Sequence, residues 1–334
     1  MPDKFKIILS RTDSIGDVIL TLPMAGLIKK EFPKATILFL GRSYTKEVIA
    51  LSEHVDEFIN YDEIEKLKAK EQITFLKKFE ADIFLHVFPK KQIASLAKSA
   101  GITSRIGTTN RLYHWFTCNK LIKLSRKNST LHESQLNLKL LSFLNSETDL
   151  ARDNIHNYYG FSKVPALNEE YNDLIDPKKI NLILHPKSKG SAKEWGLTNF
   201  GKLIELLPET KFKIFISGTE ADGKLMKDFL KKHPKATDLT GKLSLQQFIA
   251  FINACQVLVA ASTGPLHIAA ALDKKAIGLF SPKRPIHPGR WMPLGKDAHY
   301  LVYDANCKKC AKKEECDCIS KISPQQIIAL LHSK

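Results

Sequence analysis

The sequence predicts an α/β protein in which two Rossmann-like domains face each other across a cleft. Apolar runs of strand length alternate with amphipathic helices along most of the 334 residues, and this alternation is typical of parallel sheets covered by helices. It stops between residues 161 and 179, where Pro165 and Pro177 occur among residues of mixed polarity. Because a chain of this length commonly forms two domains, we expect a first domain at 1–160, a linker at 161–179 and a second domain at 180–334.

The first domain opens with a βαβ unit. A buried strand at Phe5–Leu9 leads through a polar loop to a helix at Val18–Phe32, and the next strand is Thr36–Gly41. Open α/β sheets bind ligands at the carboxyl ends of their strands, so the loop at residues 10–17 is a candidate site. Further strands are expected at Glu57–Tyr61, Ala81–Val87 and Ser104–Gly107. Helices are expected at Ile64–Phe79, Lys90–Ala100 and Leu131–Leu144.

The second domain repeats the alternation and ends in a terminal helix. Its strands are expected at Ile180–His185, Lys211–Glu220, Cys255–Val259 and Ala276–Ser281. Its helices are expected at Asn199–Leu207, Ala221–His233, Leu245–Ala254, Leu266–Leu272 and Pro324–His332.

One junction of the second domain has the composition of a phosphate site. The strand at Cys255–Val259 leads through Ser262-Thr263-Gly264-Pro265 into an Ala-rich helix, and Ser or Thr is favoured as a helix N-cap and Pro in the first turn. A helix N-terminus presents free N–H groups and the positive end of the helix dipole, which together bind phosphate. An ordinary capped helix of an α/β domain is the alternative interpretation.

The chain is strongly basic, with a formal net charge of +16. Between Asp82 and Glu133 there is no acidic residue, and the nine basic residues there are Lys90, Lys91, Lys98, Arg105, Arg111, Lys120, Lys123, Arg126 and Lys127. Such a stretch suits a polyanion. Three interpretations stay open: nucleic acid, a phosphorylated lipid or sugar at a membrane surface, and an ordinary solvated basic face.

The sequence has no features of a membrane-spanning or secreted protein. No run of about 18 apolar residues is present, and the first residues, Met1–Lys4, lead directly into a strand without the layout of a signal peptide. We therefore expect a cytoplasmic protein.

Four cysteines cluster near the end of the chain. Cys307, Cys310, Cys316 and Cys318 lie within twelve residues, and four thiolates can close a tetrahedral zinc site. A structural zinc ion is one interpretation, and reduced thiols or an exposed disulfide pair are the others.

Four groups of residues form a specific set of motifs in this order along the chain: Ile8–Pro23 with Gly16-Asp17, Arg105-Ile106-Gly107 followed by His132-Glu133, His185-Pro186 with Lys193-Glu194-Trp195, and Ser262–Ala271. Together they resemble glycosyltransferase family 9, the ADP-heptose:lipopolysaccharide heptosyltransferases. The chain departs from the usual family pattern at Lys187, Gly196 and Ser262, and at Ser262 a carboxylate next to the donor is lost. The resemblance spans nearly the whole chain and implies the two-domain GT-B architecture. It also implies an inverting transferase that moves a heptose from ADP-heptose to an inner-core lipopolysaccharide acceptor.

The acceptor side of such a reaction needs a group that removes a proton. Asp17 is the candidate base, by its position at a loop-to-helix junction and by the family resemblance. An acid in a first helical turn also complements the helix dipole, which is the alternative, and Asp13 is the second candidate base. We expect acceptor contacts from Asp13, Gly16 and Arg105, since the guanidinium fork of arginine suits carboxylate or phosphate.

The donor side needs positive charge around a diphosphate. Lys193 and Ser188 follow one strand of the second domain, and Ser262, Thr263 and Gly264 follow a neighbouring one, so together they predict a diphosphate clamp. Further donor contacts are expected from Glu220 or Asp222 on ribose hydroxyls and from His267, which is equally compatible with a packed histidine. No Asp-x-Asp is present to hold a divalent ion, so we expect catalysis without a metal or other cofactor.

The expected partners are a nucleotide-sugar, an anionic lipid A or core saccharide and the inner-membrane surface. A transferase of the same fold with another donor or acceptor is one alternative. A basic nucleic-acid-binding protein is another, but its stacking aromatics would be limited to Tyr113, His114 and Trp115, so we expect no nucleic acid partner. An NAD-dependent oxidoreductase is disfavoured because G-x-G-x-x-G is missing.

Overall fold

The computed structural model describes residues 4–126, 129–145, 147–312 and 314–332, so Lys127 of the basic stretch lies outside the described residues. The chain divides into two compact units, Met1–Lys163 and Val164–Lys334. The boundary falls inside the segment expected as a linker, and most of that segment belongs to the second unit, where it forms a short helix at Glu169–Asn172.

The first unit is a six-stranded parallel sheet with helices between the strands. Its strands are β1 Lys6–Ser10, β2 Thr36–Gly41, β3 Glu57–Asn60, β4 Ile83–His86, β5 Ser104–Thr108 and β6 Lys120–Ile122. Its helices are α1 Ile15–Ile19, α2 Pro23–Glu31, α3 Lys46–Ile49, α4 Tyr61–Lys66, α5 Ala69–Lys77, α6 Lys91–Ser99, α7 His114–Thr117 and α8 Glu133–Leu138. Short 3₁₀ segments lie at Ser43–Thr45, Lys139–Leu144 and Arg152–Tyr158.

Two helices of the first unit that were expected as continuous are broken, and in the second unit the helix expected at Ala221–His233 is likewise divided at Met226 into Glu220–Leu225 and Lys227–Lys232. The helix expected at Val18–Phe32 is divided into α1 and α2, because Pro23 has no N–H to donate and stands at the start of α2. The helix expected at Ile64–Phe79 is divided into α4 and α5, since Leu67 adopts an extended backbone. Because of the first break, Asp17 lies in a helix of only five residues, α1.

The second unit is also a six-stranded parallel sheet. Its strands are β7 Ile180–His185, β8 Phe212–Ile216, β9 Ala236–Asp238, β10 Val257–Ala261, β11 Lys275–Leu279 and β12 Ala298–Leu301. Its helices are α9 Glu169–Asn172, α10 Leu197–Leu206, α11 Glu220–Leu225, α12 Lys227–Lys232, α13 Leu245–Ala254, α14 Gly264–Ala271, α15 Pro288–Trp291, α16 Lys308–Ala311 and α17 Pro324–His332. A 3₁₀ turn lies at Cys318–Lys321.

The strand order of both sheets confirms the predicted α/β class with two Rossmann-like domains. The orders are β3-β2-β1-β4-β5-β6 and β12-β11-β10-β7-β8-β9, which is the doubly wound arrangement. The order reverses between β1 and β4 and again between β7 and β10, and ligands of such sheets bind at the carboxyl ends of the strands at that reversal. The predicted site loops follow β1, β7 and β10.

The end of the chain packs into the core of the second unit. Trp195 is fully buried beside Phe200, Ile319 and Ile322, and its indole Nε1 donates to the Ile322 carbonyl at 2.8 Å. The Asn199 amide donates to the Ser320 carbonyl at 2.7 Å. The loop after β7 and the terminal segment therefore form one packed block.

Among the residues that the structure describes, no helix combines the length and the apolar character needed to cross a membrane.

Replacing Trp195 with Phe tests this block. The change removes the donor to the Ile322 carbonyl and leaves a void, so we expect the free energy of unfolding to fall by about 2–4 kcal/mol. Trp291→Phe is the matched control, because the Trp291 indole also donates to a backbone carbonyl, at 3.0 Å, but is partly exposed. Its loss should be about 1 kcal/mol or less. Urea unfolding followed by far-UV circular dichroism measures both, and equal losses would contradict the packing argument.

Candidate active site

A buried arginine organises the loop after β1. Arg11 is 3% exposed, and its backbone N–H donates to the Leu40 carbonyl at 3.0 Å, which keeps this residue beside β2. Its guanidinium pairs with Asp13 at 2.7 Å (Nε to Oδ1) and, through a short contact, with Asp17. The two candidate carboxylates are thus held on one cation.

The Arg11 guanidinium also pairs with a third, buried carboxylate. Glu133 is 1% exposed and lies 3.2 Å from Arg11 and 3.1 Å from Arg126, measured from its Oε1 to the guanidinium nitrogens. Asn137 accepts from Arg126 at 2.9 Å and donates to the Leu20 carbonyl at 3.1 Å. A buried charge is tolerated only when it is paired and hydrogen-bonded on several sides, and this network supplies both.

Asp17 is fixed but accessible. It lies in the first turn of α1, its side chain is 18% exposed, and the Ser14 hydroxyl donates to its second carboxylate oxygen. One oxygen is thus engaged by Arg11 and the other by Ser14. This arrangement fixes the carboxylate in one orientation at the carboxyl end of β1.

Asp13 has a different electrostatic environment. Burial raises the pKa of its carboxyl to about 6, and the negative charge of Asp17 acts in the same direction, whereas the attraction of Arg11 lowers the pKa. Burial alone lowers the pKa of Arg11, but the three carboxylates around it outweigh that effect and raise the pKa above its ordinary value. Arg11 therefore stays positively charged.

The other residues expected on the acceptor side are placed differently. Gly16 is buried in the first turn of α1, between Asp13 and Asp17. Arg105 lies in β5, where its guanidinium donates to the backbone carbonyls of Thr117, at 2.8 Å, and Ile102. Asp13, Gly16 and Asp17 therefore lie together in the loop after β1 and the first turn of α1. Arg105 instead contacts backbone carbonyls close to β5.

A cavity in the second unit is lined by residues at the ends of three strands or in the loops after them, namely β7, β10 and β11. Lys193 from the loop after β7 and Ser262 from the end of β10 both line it. The full lining is Ala192, Lys193, Ser262, Leu279, Phe280, Ser281, Lys283, Arg284, Pro285 and Ile286. The cavity therefore combines cationic side chains with an apolar wall, as a nucleotide-sugar site requires.

The sequence reasoning missed one wall of this cavity. Ser281, Lys283 and Arg284 follow β11 and contribute a hydroxyl and two cations. The strand at Ala276–Ser281 was expected, and the rule that ligands bind after parallel strands would have identified the basic residues that follow it.

Within the loop after β7, Glu194 is the organising group. Its carboxylate accepts from the Ser188 N–H at 3.0 Å and from the Lys187 ammonium at 2.6 Å. The Ser188 hydroxyl donates to the Ala192 carbonyl at 2.7 Å, and the Lys193 ammonium donates to the carbonyl of Cys316. Lys193 is therefore oriented by the cysteine-rich segment.

The predicted phosphate junction has the expected layout. Helix α14 begins at Gly264 with Pro265 in its first turn. The Thr263 hydroxyl donates to the Ala261 carbonyl at 3.2 Å rather than accepting from the first turn. Thr263 and Gly264 lie outside the ten residues that line the cavity, and so do Ser188, Glu220, Asp222 and His267.

Glu220, Asp222 and His267 each have contacts or surroundings of their own. Glu220 is exposed and pairs with Lys224 at 2.8 Å. Asp222 accepts from the N–H and the hydroxyl of Thr219 at 2.8 and 2.7 Å. Burial raises the pKa of Asp222, but these hydrogen bonds outweigh it and hold the pKa below its usual value. His267 is buried within α14.

The four clustered cysteines meet in space. All four Sγ atoms lie within 4.8 Å of one another, and none of the four is in a disulfide. The Sγ atom of Cys310 also lies 3.5 Å from the hydroxyl of Ser281, which lines the cavity. Such a group of thiols can bind a metal ion, as the sequence predicted.

Comparison with known proteins agrees with the geometry. Residues 74–318 match the sequence model of glycosyltransferase family 9 (heptosyltransferase). A putative glycosyltransferase of Haemophilus influenzae is 22% identical over 93% of this chain and 91% of its own length. Lipooligosaccharide heptosyltransferase 2 of Campylobacter jejuni serotype O:2 is 21% identical over 97% and 96%.

Solved structures share the fold over nearly the whole length. The E. coli ADP-heptose lps heptosyltransferase II superposes with a TM-score of 0.76 at 17% identity, covering 98% of this chain and 97% of that one. A glycosyl transferase of family 9 from Veillonella parvula gives 0.80 at 19% identity, covering 98% of each chain. Since the family match spans most of the sequence and confirms the resemblance found in its motifs, the chain belongs to glycosyltransferase family 9 and is a glycosyl-transfer enzyme.

Proposed function

We propose that this chain is an inverting heptosyltransferase that moves a heptose from ADP-heptose to an inner-core lipopolysaccharide acceptor. The observation that carries the proposal is the accessible Asp17 carboxylate, held by buried Arg11 at the carboxyl end of β1. The names of its relatives support the substrate class, since they include a lipooligosaccharide heptosyltransferase and an ADP-heptose lps heptosyltransferase.

In the proposed reaction, Asp17 acts as the general base. The acceptor hydroxyl oxygen attacks the anomeric carbon of the heptose, its proton passes to the Asp17 carboxylate, and the bond from that carbon to the diphosphate oxygen breaks. The electron pair of that bond leaves with ADP. Attack opposite the leaving group inverts the anomeric configuration. An alcohol hydroxyl becomes acidic enough to give its proton to a carboxylate only as its bond to the anomeric carbon forms, so proton transfer accompanies attack instead of preceding it.

The leaving diphosphate needs positive charge. Lys193 lines the cavity with the cations that follow β11, and the N-terminus of α14 adds its N–H groups through Thr263 and Gly264. Ser188 and His267 complete the proposed donor contacts, and Glu220 or Asp222 binds the ribose. With this charge in place, no cofactor is needed for catalysis.

A second candidate is a transferase of the same family with another nucleotide-sugar or acceptor. The observation that favours it is Ser262, which lines the cavity where the family usually has an aspartate. Turnover assays with ADP-heptose, ADP-glucose and UDP-glucose on a heptose-deficient lipopolysaccharide distinguish the two. Preference for a hexose donor would replace the heptosyl proposal with this one.

We place the enzyme in the cytoplasm, at the inner-membrane surface. An acceptor that carries phosphates and acidic sugars complements the exposed basic residues of the first unit. Arg105 and Asp13, with Gly16, remain the proposed acceptor contacts, and nucleic acid is not a proposed partner.

Asp17→Asn tests the base. The variant keeps the shape of the side chain but cannot accept the proton, so we expect kcat to fall by about 10²–10⁴-fold. ADP affinity should be unchanged, because the donor residues belong to the second unit. Asp13→Asn is the matched control and should lose less than about tenfold at neutral pH. Wild-type turnover by Asp17→Asn would remove Asp17 from the mechanism.

The pH profile tests the role of Asp13. Its carboxyl has a pKa raised to about 6, so below that pH it becomes protonated and its attraction for Arg11 is lost. We expect kcat/KM to fall by less than about tenfold as the pH decreases through about 6, and Asp13→Asn, which mimics the protonated carboxyl, to hold that lower value without this acidic limb. A limb that persists unchanged in the variant would assign it to another group.

Lys193→Ala tests the donor site. Loss of a charge-assisted contact to phosphate should raise the Kd for ADP by about tenfold or more. Lys202→Ala is the control, because Lys202 is an exposed lysine on α10, and its Kd should equal that of the wild type. Calorimetry with ADP and with UDP measures both affinity and base preference. Equal ADP affinity of the two variants would remove Lys193 from the donor site.

We also propose that the cysteine cluster holds a structural zinc ion. With Zn–S bonds of about 2.3 Å, tetrahedral geometry places sulfurs roughly 3.8 Å apart. The sulfur–sulfur distances include 2.9 Å for Cys316 and Cys318 and 3.5 Å for Cys307 and Cys316, and none exceeds 4.8 Å, so they lie on both sides of that value. The iron-containing heptosyltransferase TibC, with a TM-score of 0.57 at 12% identity, makes iron the competing metal. Bound zinc would fix the Cys316 carbonyl that orients Lys193.

Elemental analysis of Cys310→Ser tests this centre. We expect the wild type to carry zinc, and the variant to lose it and to bind ADP more weakly by about three- to tenfold. Cys255→Ser is the control, because Cys255 is a buried cysteine outside the cluster. It should keep both metal and affinity. Iron in the purified wild type, or no metal, would contradict the assignment to zinc.

A further inference from the structure

Three large apolar side chains of the first unit are strongly exposed in one short segment. Leu112 is 77%, Trp115 58% and Phe116 70% exposed. They lie in and just before α7, the turn that follows β5. Contiguous exposed apolar groups of this size mark an interaction site rather than ordinary surface.

The backbone beneath these side chains is fixed. His114 is fully buried, and its Nδ1 accepts from the Thr108 N–H at 2.9 Å. The Trp115 indole donates to the Thr109 carbonyl at 3.1 Å, and the Thr117 hydroxyl donates to the Tyr113 carbonyl at 2.8 Å. The turn therefore presents the three side chains outward in a set geometry, and their exposure does not come from a loosely held loop.

Positive charge surrounds the apolar group. The Lys98 ammonium donates to the Phe116 carbonyl at 2.9 Å, and exposed Arg111 directly precedes Leu112. No acidic residue occurs in the sequence between Asp82 and Glu133, and Glu133 is buried between two arginines. We call the surface formed by Lys98, Arg111, Leu112, Trp115 and Phe116 the aromatic–basic patch.

We propose that the aromatic–basic patch docks the enzyme on an anionic lipid bilayer. Trp, Phe and Leu insert at the boundary between headgroups and acyl chains, and Lys and Arg are attracted to anionic headgroups. The inference deepens the membrane part of the proposed function and rests on it. It assigns that role to five residues, none of which belongs to the proposed donor or base sites.

Other partners fit the patch less well. Two copies of the chain would bring like charges together at the edge of the contact. Single-stranded nucleic acid stacks on aromatic rings but gains nothing comparable from the exposed aliphatic Leu112. A bilayer uses all three apolar groups and both cations.

Vesicle co-sedimentation tests the proposal, without donor or acceptor. The wild type should bind phosphatidylcholine vesicles that contain phosphatidylglycerol and should bind pure phosphatidylcholine weakly. The triple variant Leu112→Ser, Trp115→Ser, Phe116→Ser should partition at least about tenfold less. The matched control replaces three exposed apolar residues of the second unit by serine, namely Leu206, Leu225 and Tyr303, and should bind as the wild type does.

Two further readouts separate the apolar and basic contributions. Lys98→Glu with Arg111→Glu should abolish the preference for anionic vesicles. Of the three tryptophans, Trp195 is fully buried and Trp291 is partly buried in the second unit, whereas Trp115 is strongly exposed in the patch. A blue shift of tryptophan fluorescence on vesicle binding should therefore depend on Trp115. Trp115→Phe should keep the binding and lose most of the shift.

Several results would overturn the proposal. They are equal vesicle binding by the wild type and the folded triple variant, a wild-type dimer that the triple variant converts to monomer, or tighter binding to an oligonucleotide than to anionic vesicles. Far-UV circular dichroism of the same preparations checks folding. ADP calorimetry separates the two proposals, since vesicle binding by folded protein without ADP binding would refute only the donor assignment, and the reverse only the docking surface.

Discussion

The candidate site depends on a constraint of parallel sheets. Where the strand order reverses, the helices that follow two neighbouring strands must leave on opposite faces, so the carboxyl edge between them stays open. This happens between β1 and β4 and between β7 and β10. The loops that carry Asp17, Lys193 and Ser262 follow three of these four strands, and their positions are fixed by backbone pairing before any side chain contributes.

Within the first unit, the buried charge of Arg11 converts that open edge into a defined arrangement. A guanidinium in the interior must be surrounded by acceptors, and it collects Asp13, Asp17 and Glu133 around it. The same contacts that satisfy the arginine therefore orient the proposed base. In the second unit, the loop that carries Lys193 is held by the Glu194 carboxylate and by its packing against the terminal segment.

Hydrophobic periodicity predicted most of the fold, because buried parallel strands are nearly continuous apolar runs. It missed β6, β9 and β12, which are short, partly exposed edge strands, and it joined helices that are separated at Pro23, Leu67 and Met226. The contact between Arg11 and Glu133 joins residues 122 positions apart, and periodicity carries no information on such pairings. The cysteine cluster and the phosphate junction were predictable because each is a local pattern.

The contact between Lys193 and the Cys316 carbonyl joins two distant segments of the chain that depend on each other. A lysine near the middle of the chain is oriented by a segment close to its end, and Trp195 and Asn199 make two more bonds to that segment. A chimaera that exchanged residues 307–322 with those of a relative would need the matching loop at 186–199 as well. Swaps for altered donor preference should therefore move both stretches as one module.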